Sequence, residues 1–426
     1  WSPARHRLID GGEVARLLPA IAHRQPTGGY LFYDCQTDDA RLVLTVLGEA
    51  ERFGAIAANR LRVTKVHADP GTGAAVTVQD REGGAAFAIR AENVVNATGV
   101  WADRIRPDEL HSEVEMPQIA PSRGSHILLR RADLPLDAGA IVPVGDGRSI
   151  FALPWLGRTL IGTTDHNYEG DVEHVRPSAH DVEYLLGAVN EFFAVSLGSR
   201  DATGAYAGVR PLISSGDSRK SVDISRKAEL YETSSGLITI TGGKLTTWRR
   251  MARLVVDRIV EREGREAPCR THEIPLGAAV DPAALPRVDG VPEAAYAMLA
   301  GRYGHAAERV LETAAADPDL AAPIVSDMPD LLAEATFAAR HEQARTVGDV
   351  LLRRTRLGLL AGRELTAPDA GAPRRVAEAM GTVLGWGAAR VDAEVARFAD
   401  EARSEGIGLT LDPQPAAASP TTNRRP

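Results

Sequence analysis

The clearest change of hydrophobic period along the chain lies at Leu237–Arg250. Ile238 and Ile240 alternate with Thr239 and Thr241, the period of a half-buried strand. Gly242 and Gly243 break it. From Leu245 the spacing becomes helical, with Trp248, Met251, Ala252, Val255, Val256 and Ile259 on one face. The stretch predicts a strand, a Gly-Gly turn and a helix. Upstream, Val14, Leu17, Leu18 and Ile21 predict a short helix. Leu42, Val43, Val46, Leu47, Ala50 and Phe53 predict a longer one over 39–58, capped by Thr37 or Asp38. Arg62–Val66 reads as a strand. Ala75–Gln79 and Ala85–Arg90 flank Glu82-Gly83-Gly84 and read as a hairpin. Val94-Val95 is expected to be a short buried strand that stops at the small residues Asn96-Ala97-Thr98-Gly99.

The middle of the chain has another texture. Ser125–Leu129, Ala140–Val142, Ile150–Pro154 and Thr159–Gly162 read as short strands between turns. One helix interrupts them, with Ser178 and Asp181 at capping-box spacing and Val182, Leu185, Leu186, Val189 and Phe193 on its apolar face. After a proline- and alanine-rich passage the pattern is helical, as in Tyr296–Tyr303, Ala306–Ala315, Leu331–Glu342, Val347–Leu360 and Val376–Leu384. The fold class is therefore mixed α/β. The expected division is 1–110 for a first α/β layer, 111–235 for an antiparallel sheet with a crossing helix and 236–265 for a return to the first layer. An all-helical domain over 266–410 and a disordered tail over 411–426 complete it.

Composition narrows the function. The chain has 426 residues and a formal net charge of −8, which disfavours nucleic acid as the main partner. Its two cysteines, Cys35 and Cys269, are far apart, so neither a disulfide framework nor a zinc ribbon is expected, and a reducing cytoplasm fits. No apolar run has membrane-spanning length. The histidines His166, His174 and His180 lack metal-ligand spacing, and no metal is expected.

Candidate chemistry comes from a few charged residues beside small ones. The Gly242-Gly243-Lys244 turn lets backbone approach a bound group and opens a helix with free N–H donors. The Asn96–Gly99 stop is the other place where a ligand meets bare backbone, at the carboxyl end of a sheet strand. His126 enters a strand behind Gly124-Ser125. Arg210 stands in Gly208-Val209-Arg210-Pro211-Leu212, and Arg226 in Ile224-Ser225-Arg226. Two arginines and a lysine suit a phosphate dianion, and a histidine suits proton abstraction near neutral pH.

Taken in order, these segments resemble the flavin-linked glycerol-3-phosphate dehydrogenases that reduce quinone. The match runs through Tyr33-Asp34-Cys35, Asp38–Leu42, Val94–Gly99, Gly124-Ser125-His126, Ile161–Asp165, Gly208–Leu212, Gly242–Thr247 and Arg353–Gly358. The resemblance implies a flavoprotein fold in which 1–110 and 236–265 are the remainder of the FAD (nucleotide-side) domain, its first strand-helix-strand missing, and 111–235 is the substrate-side domain. FAD would be lined by Asn96, Ala97, Thr98, Gly99, Gly242, Gly243, Lys244, Leu245 and Thr246. It also implies His126 and Arg210 as catalytic residues, with Arg210, Arg226 and Lys244 binding substrate. Glycerol 3-phosphate would be the substrate and a quinone the acceptor. Peripheral contact with the inner face of the cytoplasmic membrane, through Arg353, Arg354 and Arg356 beside Leu357, Leu359 and Leu360, and a homodimer are compatible with it. The resemblance departs at the Gly-x-Gly-x-x-Gly strand-turn-helix that holds the ADP half of FAD: Gly71-x-Gly73 imitates it only in part. The expectation is therefore a chain truncated at its amino end. The alternatives are an FAD-deficient remnant without activity and another flavin-dependent amine or hydroxy-acid oxidoreductase.

Overall fold

The computed structural model describes residues 4–69, 73–107, 110, 112, 115–145, 147–214 and 227–409. Arg226, Gly71 and the tail lie outside them. At the amino end β1 (Arg7–Asp10) pairs antiparallel with β2 (Gly28–Leu31) around α1 (Gly11–Leu17). The sequence pattern showed α1 but not this ribbon. Helix α2 (Asp39–Arg52) is shorter than expected, with Asp38 as its cap: the carboxylate accepts from the N–H groups of Ala40 and Arg41. Strands β3 (Leu61–Asp69), β4 (Gly73–Asp80) and β5 (Ala86–Ala91) form the expected hairpin and one further strand.

The substrate-side sheet is built on β7 (Ile119–Arg130). Strand β10 (Arg158–Gly162) and the short β11 (His166–Asn167) share one edge of β7, and β12 (Ala202–Ile213) takes the other. Beyond β10 follow β9 (Ser149–Trp155) and β8 (Ala140–Pro143). The two-residue alternation of β7 divides two cores. Ile127 and Leu129 point to α3 (Ala179–Phe193), where Leu185, Val189 and Phe193 are buried. Leu128 points the other way, into the helical domain, beside Trp155, Leu351 and Leu360. The Ser178–Asp181 capping box at the start of α3 is present as the spacing predicted.

The nucleotide-side layer is thinner. Strand β6 (Val95–Asn96) runs parallel to β14 (Ile238–Gly242), which pairs antiparallel with β13 (Ala228–Glu232). Val95 is exposed, against expectation, while Asn96 is buried. A turn of 3-10 helix, Leu245–Thr247, precedes α4 (Trp248–Arg262), so the helix starts three residues later than its period suggested.

The carboxyl-terminal part contains α5 (Glu293–Tyr303), α6 (Ala307–Ala316), α7 (Leu332–His341), α8 (Leu357–Leu360), α9 (Gly362–Leu365), α10 (Ala372–Leu384) and α11 (Ala388–Ser404). The single helix expected over 347–360 is two pieces. A π-helical turn at Asp349–Arg354 ends, Arg356 takes φ +65°, and α8 begins anew. Arg354 and Arg356 are buried. Arg354 donates to the carbonyls of Asp349 and Glu342, and Arg356 pairs with Asp39 at 2.9 Å. Leu357, Leu359 and Leu360 belong to the core. Of the residues named for a membrane face, these five are packed inside the protein, while Arg353 keeps 43% of its side chain exposed. Among the described residues no helix is long and apolar enough to cross a membrane.

Candidate active site

His126 lies in the middle of β7, not at its entry. Its register partners are Gly162 of β10 on one side and Tyr206 of β12 on the other. The missing side chain of Gly162 makes room for the imidazole: a Cβ there would stand 2.1 Å from His126 Cδ2. On the other side Tyr206 stacks in parallel, with ring centroids 4.8 Å apart and planes 8° from parallel. Burial, then the charge of Arg210, pushes the His126 pKa down to about 4, with Asp39 opposing. The ring is therefore neutral at pH 7 and can accept a proton. Its Nδ1 is buried and has no hydrogen-bond partner among the described residues. Burial also pushes the Tyr206 phenol up to about 12, so this ring stays a neutral wall.

Arg210 occupies the same sheet face. In β12, Tyr206, Gly208 and Arg210 alternate onto one side, and Gly208 and Arg210 face Gly124 and Ser122 of β7. Gly124 lets the guanidinium lie over the backbone: a Cβ there would be 2.7 Å from Nη2 and 2.8 Å from Nη1. Nη2 donates to Thr163 Oγ1 at 3.5 Å, and Nη1 stands 3.5 Å from Asp165 Oδ1, which also accepts from the Ser122 hydroxyl. Base and cation thus project from neighbouring strands into one space.

Behind this face a buried network stiffens β7. Asp181 receives the Ser125 hydroxyl at 2.9 Å and pairs with Arg123 at 2.8 Å and with His166 Nδ1 at 3.2 Å. Burial works to raise the Asp181 pKa, but Arg123 together with Ser178 and Ser125 holds it below the usual carboxylate range. Ser125 donates to the carboxylate and not to the histidine, so the three do not form a nucleophilic relay.

The two small-residue turns come together as the strand order requires. Val95↔Ile238 and Asn96↔Thr239 are parallel register partners, so the Asn96–Gly99 turn and the Gly242–Lys244 turn leave adjacent strand ends. The Thr241 hydroxyl donates to Gly99 O at 3.3 Å and bridges them. Asn96 holds its own turn: its amide donates to Ala102 O, and its oxygen accepts from Thr98 N and Oγ1. Gly99 has φ +62° and open space where a Cβ would stand. Gly242 has φ +73° and sits 2.9 Å, measured from a built Cβ, from Ile213 at the end of β12. This edge, where two turns bring glycine backbone together, fits the ring side of a flat heteroaromatic cofactor. Lys244 is exposed and caps the 3-10 turn. Its N–H bonds Thr247 Oγ1, and none of its described contacts reaches His126 or Arg210. Ala97, Leu245 and Thr246 lie on the same two turns.

The structure therefore joins His126 to Arg210 and joins the two turns to each other. Tyr206, Gly162, Thr163 and Asp165 are site residues that the sequence pattern left unassigned. The alternation Tyr206-x-Gly208-x-Arg210 carried the signal for the first.

Comparison with known proteins accords with this geometry. Residues 1–258 match the FAD dependent oxidoreductase family, and residues 269–391 match the C-terminal domain of alpha-glycerophosphate oxidase. Glycerol-3-phosphate dehydrogenase 2 of Mycobacterium tuberculosis is 34% identical over 411 residues, covering 95% of this chain and 69% of that protein. This chain belongs to the FAD-dependent glycerol-3-phosphate dehydrogenase family. The aerobic glycerol-3-phosphate dehydrogenase of Bacillus subtilis is 32% identical over 370 residues, 82% of this chain and 66% of that protein. The Bacillus halodurans glycerol-3-phosphate dehydrogenase, solved with FAD, superposes with a TM-score of 0.76 at 27% identity, covering 95% of this chain and 81% of that one. For a dehydrogenase of this family, the antiparallel sheet under a helical domain is the expected fold.

Proposed function

We propose that this chain oxidises sn-glycerol 3-phosphate to dihydroxyacetone phosphate, with His126 as base and Arg210 as the phosphate-side cation. The observation that carries the reading is the shared face: a neutral imidazole and a guanidinium on adjacent strands, each seated over a glycine. FAD, when bound, supplies the two-electron acceptor for the hydride on the carbinol carbon. His126 takes the hydroxyl proton, so the carbinol loses one hydride and one proton and becomes a ketone. Arg210, held by Thr163 and Asp165, orients the phosphate so that the carbinol meets the imidazole. The Tyr206 face and the close backbone of Gly162 confine the imidazole plane. Asn96–Gly99 and Gly242–Thr246 would hold the ring side of FAD, with Lys244 supplying positive charge at that edge. Arg226, outside the described residues, is assigned to the phosphate by resemblance alone.

For the electron acceptor we assign a quinone, the class implied by the family resemblance. The test is oxidation of glycerol 3-phosphate by the FAD-loaded chain, with a soluble dye and a short-chain quinone in parallel. Arg210→Ala is expected to lose about 10²–10³-fold in kcat/KM, and a near-wild-type rate in that variant rejects the role. A chain that retains no flavin supports the remnant reading instead.

A further inference from the structure

The face of β7 that carries His126 continues to Leu128 and then Arg130, about 13 Å further along at the ordinary strand rise. Leu128 is fully buried between the two positions. At the Arg130 end a cleft of about 320 Å³ opens between the sheet and α9. Four arginines line it: Arg130, Arg158, Arg200 and Arg363. Asp201, Asp327 and Glu364 share the lining, so the cleft carries a small excess of positive charge in a chain whose formal net charge is −8, and Arg130 and Arg200 are exposed at its mouth.

Arg130 and Arg158 are direct register partners across β7 and β10. Like charges facing each other on a sheet are unfavourable, and here the exposed Arg130 faces the nearly buried Arg158. Arg158 is nearly buried and already engaged. It donates to Leu360 O at 3.1 Å and pairs with Asp327 at 3.1 Å. Arg363 donates to Ala202 O and Ser199 O, carbonyls that orient it but leave its charge uncompensated. Among the described contacts, none engages the guanidinium of Arg130 or Arg200. On the acidic side, Asp327 is used by Arg158, and Asp201 accepts the N–H of Gly198 at 2.7 Å. Glu364 is the remaining carboxylate of the rim.

Several guanidinium groups around a hole of this size match a tetrahedral oxyanion, which arginine forks grip bidentately. We propose that this cleft is a second anion site, binding a phosphate-bearing group at a place separate from the substrate. The phosphate can belong to a free polyanion such as pyrophosphate or to the headgroup of an anionic lipid.

The test removes the substrate site first. In Arg210→Ala, pyrophosphate binding is measured by calorimetry, and sedimentation is followed with phosphatidylglycerol vesicles and with phosphatidylcholine vesicles. Pyrophosphate binding that persists in this background, and weakens at least tenfold when R130Q and R200Q are added, supports a free polyanion. Sedimentation with phosphatidylglycerol but not phosphatidylcholine, lost on adding R130Q and R200Q, supports the lipid headgroup. Binding that is absent in Arg210→Ala, or indifferent to R130Q and R200Q, overturns the site. Thermal melting gives a second reading. Without anion, Arg130→Gln alone should melt higher than its parent because the facing charges are relieved. With pyrophosphate, the parent's rise in Tm should shrink in the variant. A lower Tm with an undiminished response to pyrophosphate contradicts the proposal. Because Arg130 is separated from His126 by the buried Leu128, and neither substituted arginine is among the partners of His126 or Arg210, R130Q/R200Q in the wild-type background should still oxidise glycerol 3-phosphate at the wild-type rate.

Discussion

The helical layer and the nucleotide-side layer display the same kind of amphipathic pattern, yet they close to different degrees. Around α8 and α10, Leu351, Leu357, Val376, Met380 and Phe398 are almost wholly buried, and the sheet contributes Leu128 to the same cluster. On the nucleotide side the buried cluster is Ile238, Ile240 and Val255. There Leu254 is 40% exposed and Val256 52%, although both belong to a well-formed helix. Helix α2 likewise leaves Val43 and Leu47 open. Burying one such side chain stabilises a fold by about 1.5–3 kcal/mol, so the two layers differ in how much packing holds each residue in place. Hydrophobic period thus reports that a helix forms, not that a neighbour covers it. The residues we assign to the proton and the phosphate, His126 and Arg210, sit on the well-packed side. The turns that would line a flavin sit on the lightly packed one, where a bound ligand has most stability to add.

That contrast can be attacked where packing is tightest. Gly162→Ala puts a methyl group into the imidazole of His126. A reactive group displaced by about 1 Å costs on the order of 10²-fold in rate, so flavin reduction should slow by that amount while circular dichroism stays unchanged. A wild-type rate would show that the site is looser than its neighbours imply. Next is Gly204→Ala, whose Cβ would meet Leu359 O at 2.1 Å where the helical domain rests on β12. Backbone has no easy way to yield, and a loss of about 1–3 kcal/mol in urea unfolding is expected.

The pH dependence is subtler. Burial and Arg210 lower the pKa of His126 from its ordinary 6.5 to about 4, so the folded chain binds fewer protons than the unfolded one between those values. Its contribution to stability is complete above pH 6.5 and is lost as pH falls toward 4. The acid limb of kcat/KM should fall near pH 4 and move upward in Arg210→Gln, as titration by rate will show. At the other extreme, Leu254→Lys on the open face of α4 should change stability by less than about 0.5 kcal/mol. A large loss there would mean that the face is covered after all.

Much of this was legible in the chain. The α3 capping box follows from Ser178 and Asp181, and the Gly-Gly turn after β14 follows from a strand pattern that stops at Gly242. The mixed fold class follows from the alternation of periods. Local chemistry decides such features, so local letters reveal them. The strand bearing Arg210 was not read as one twelve-residue element, because Gly204, Gly208 and Pro211 resemble turn residues. One of them is there for a reason that acts across space: Gly204 admits the Leu359 carbonyl. The break at Arg356 was hidden for a similar reason. Its pairing with Asp38 and Asp39, more than three hundred residues upstream, is what holds that arginine in place. Candidate site residues could be picked singly from sequence, but the stacking of Tyr206 on His126 needed the register of β7 against β12.

The central claim is that His126 receives the substrate's proton while Arg210 holds its phosphate. Stopped-flow reduction of the FAD-loaded chain by glycerol 3-phosphate, comparing wild type with His126→Gln, tests it most directly. The account predicts a rate of flavin bleaching at least about 10²-fold lower in the variant, with the substrate concentration giving half-maximal rate little changed. Bleaching at the wild-type rate would contradict it.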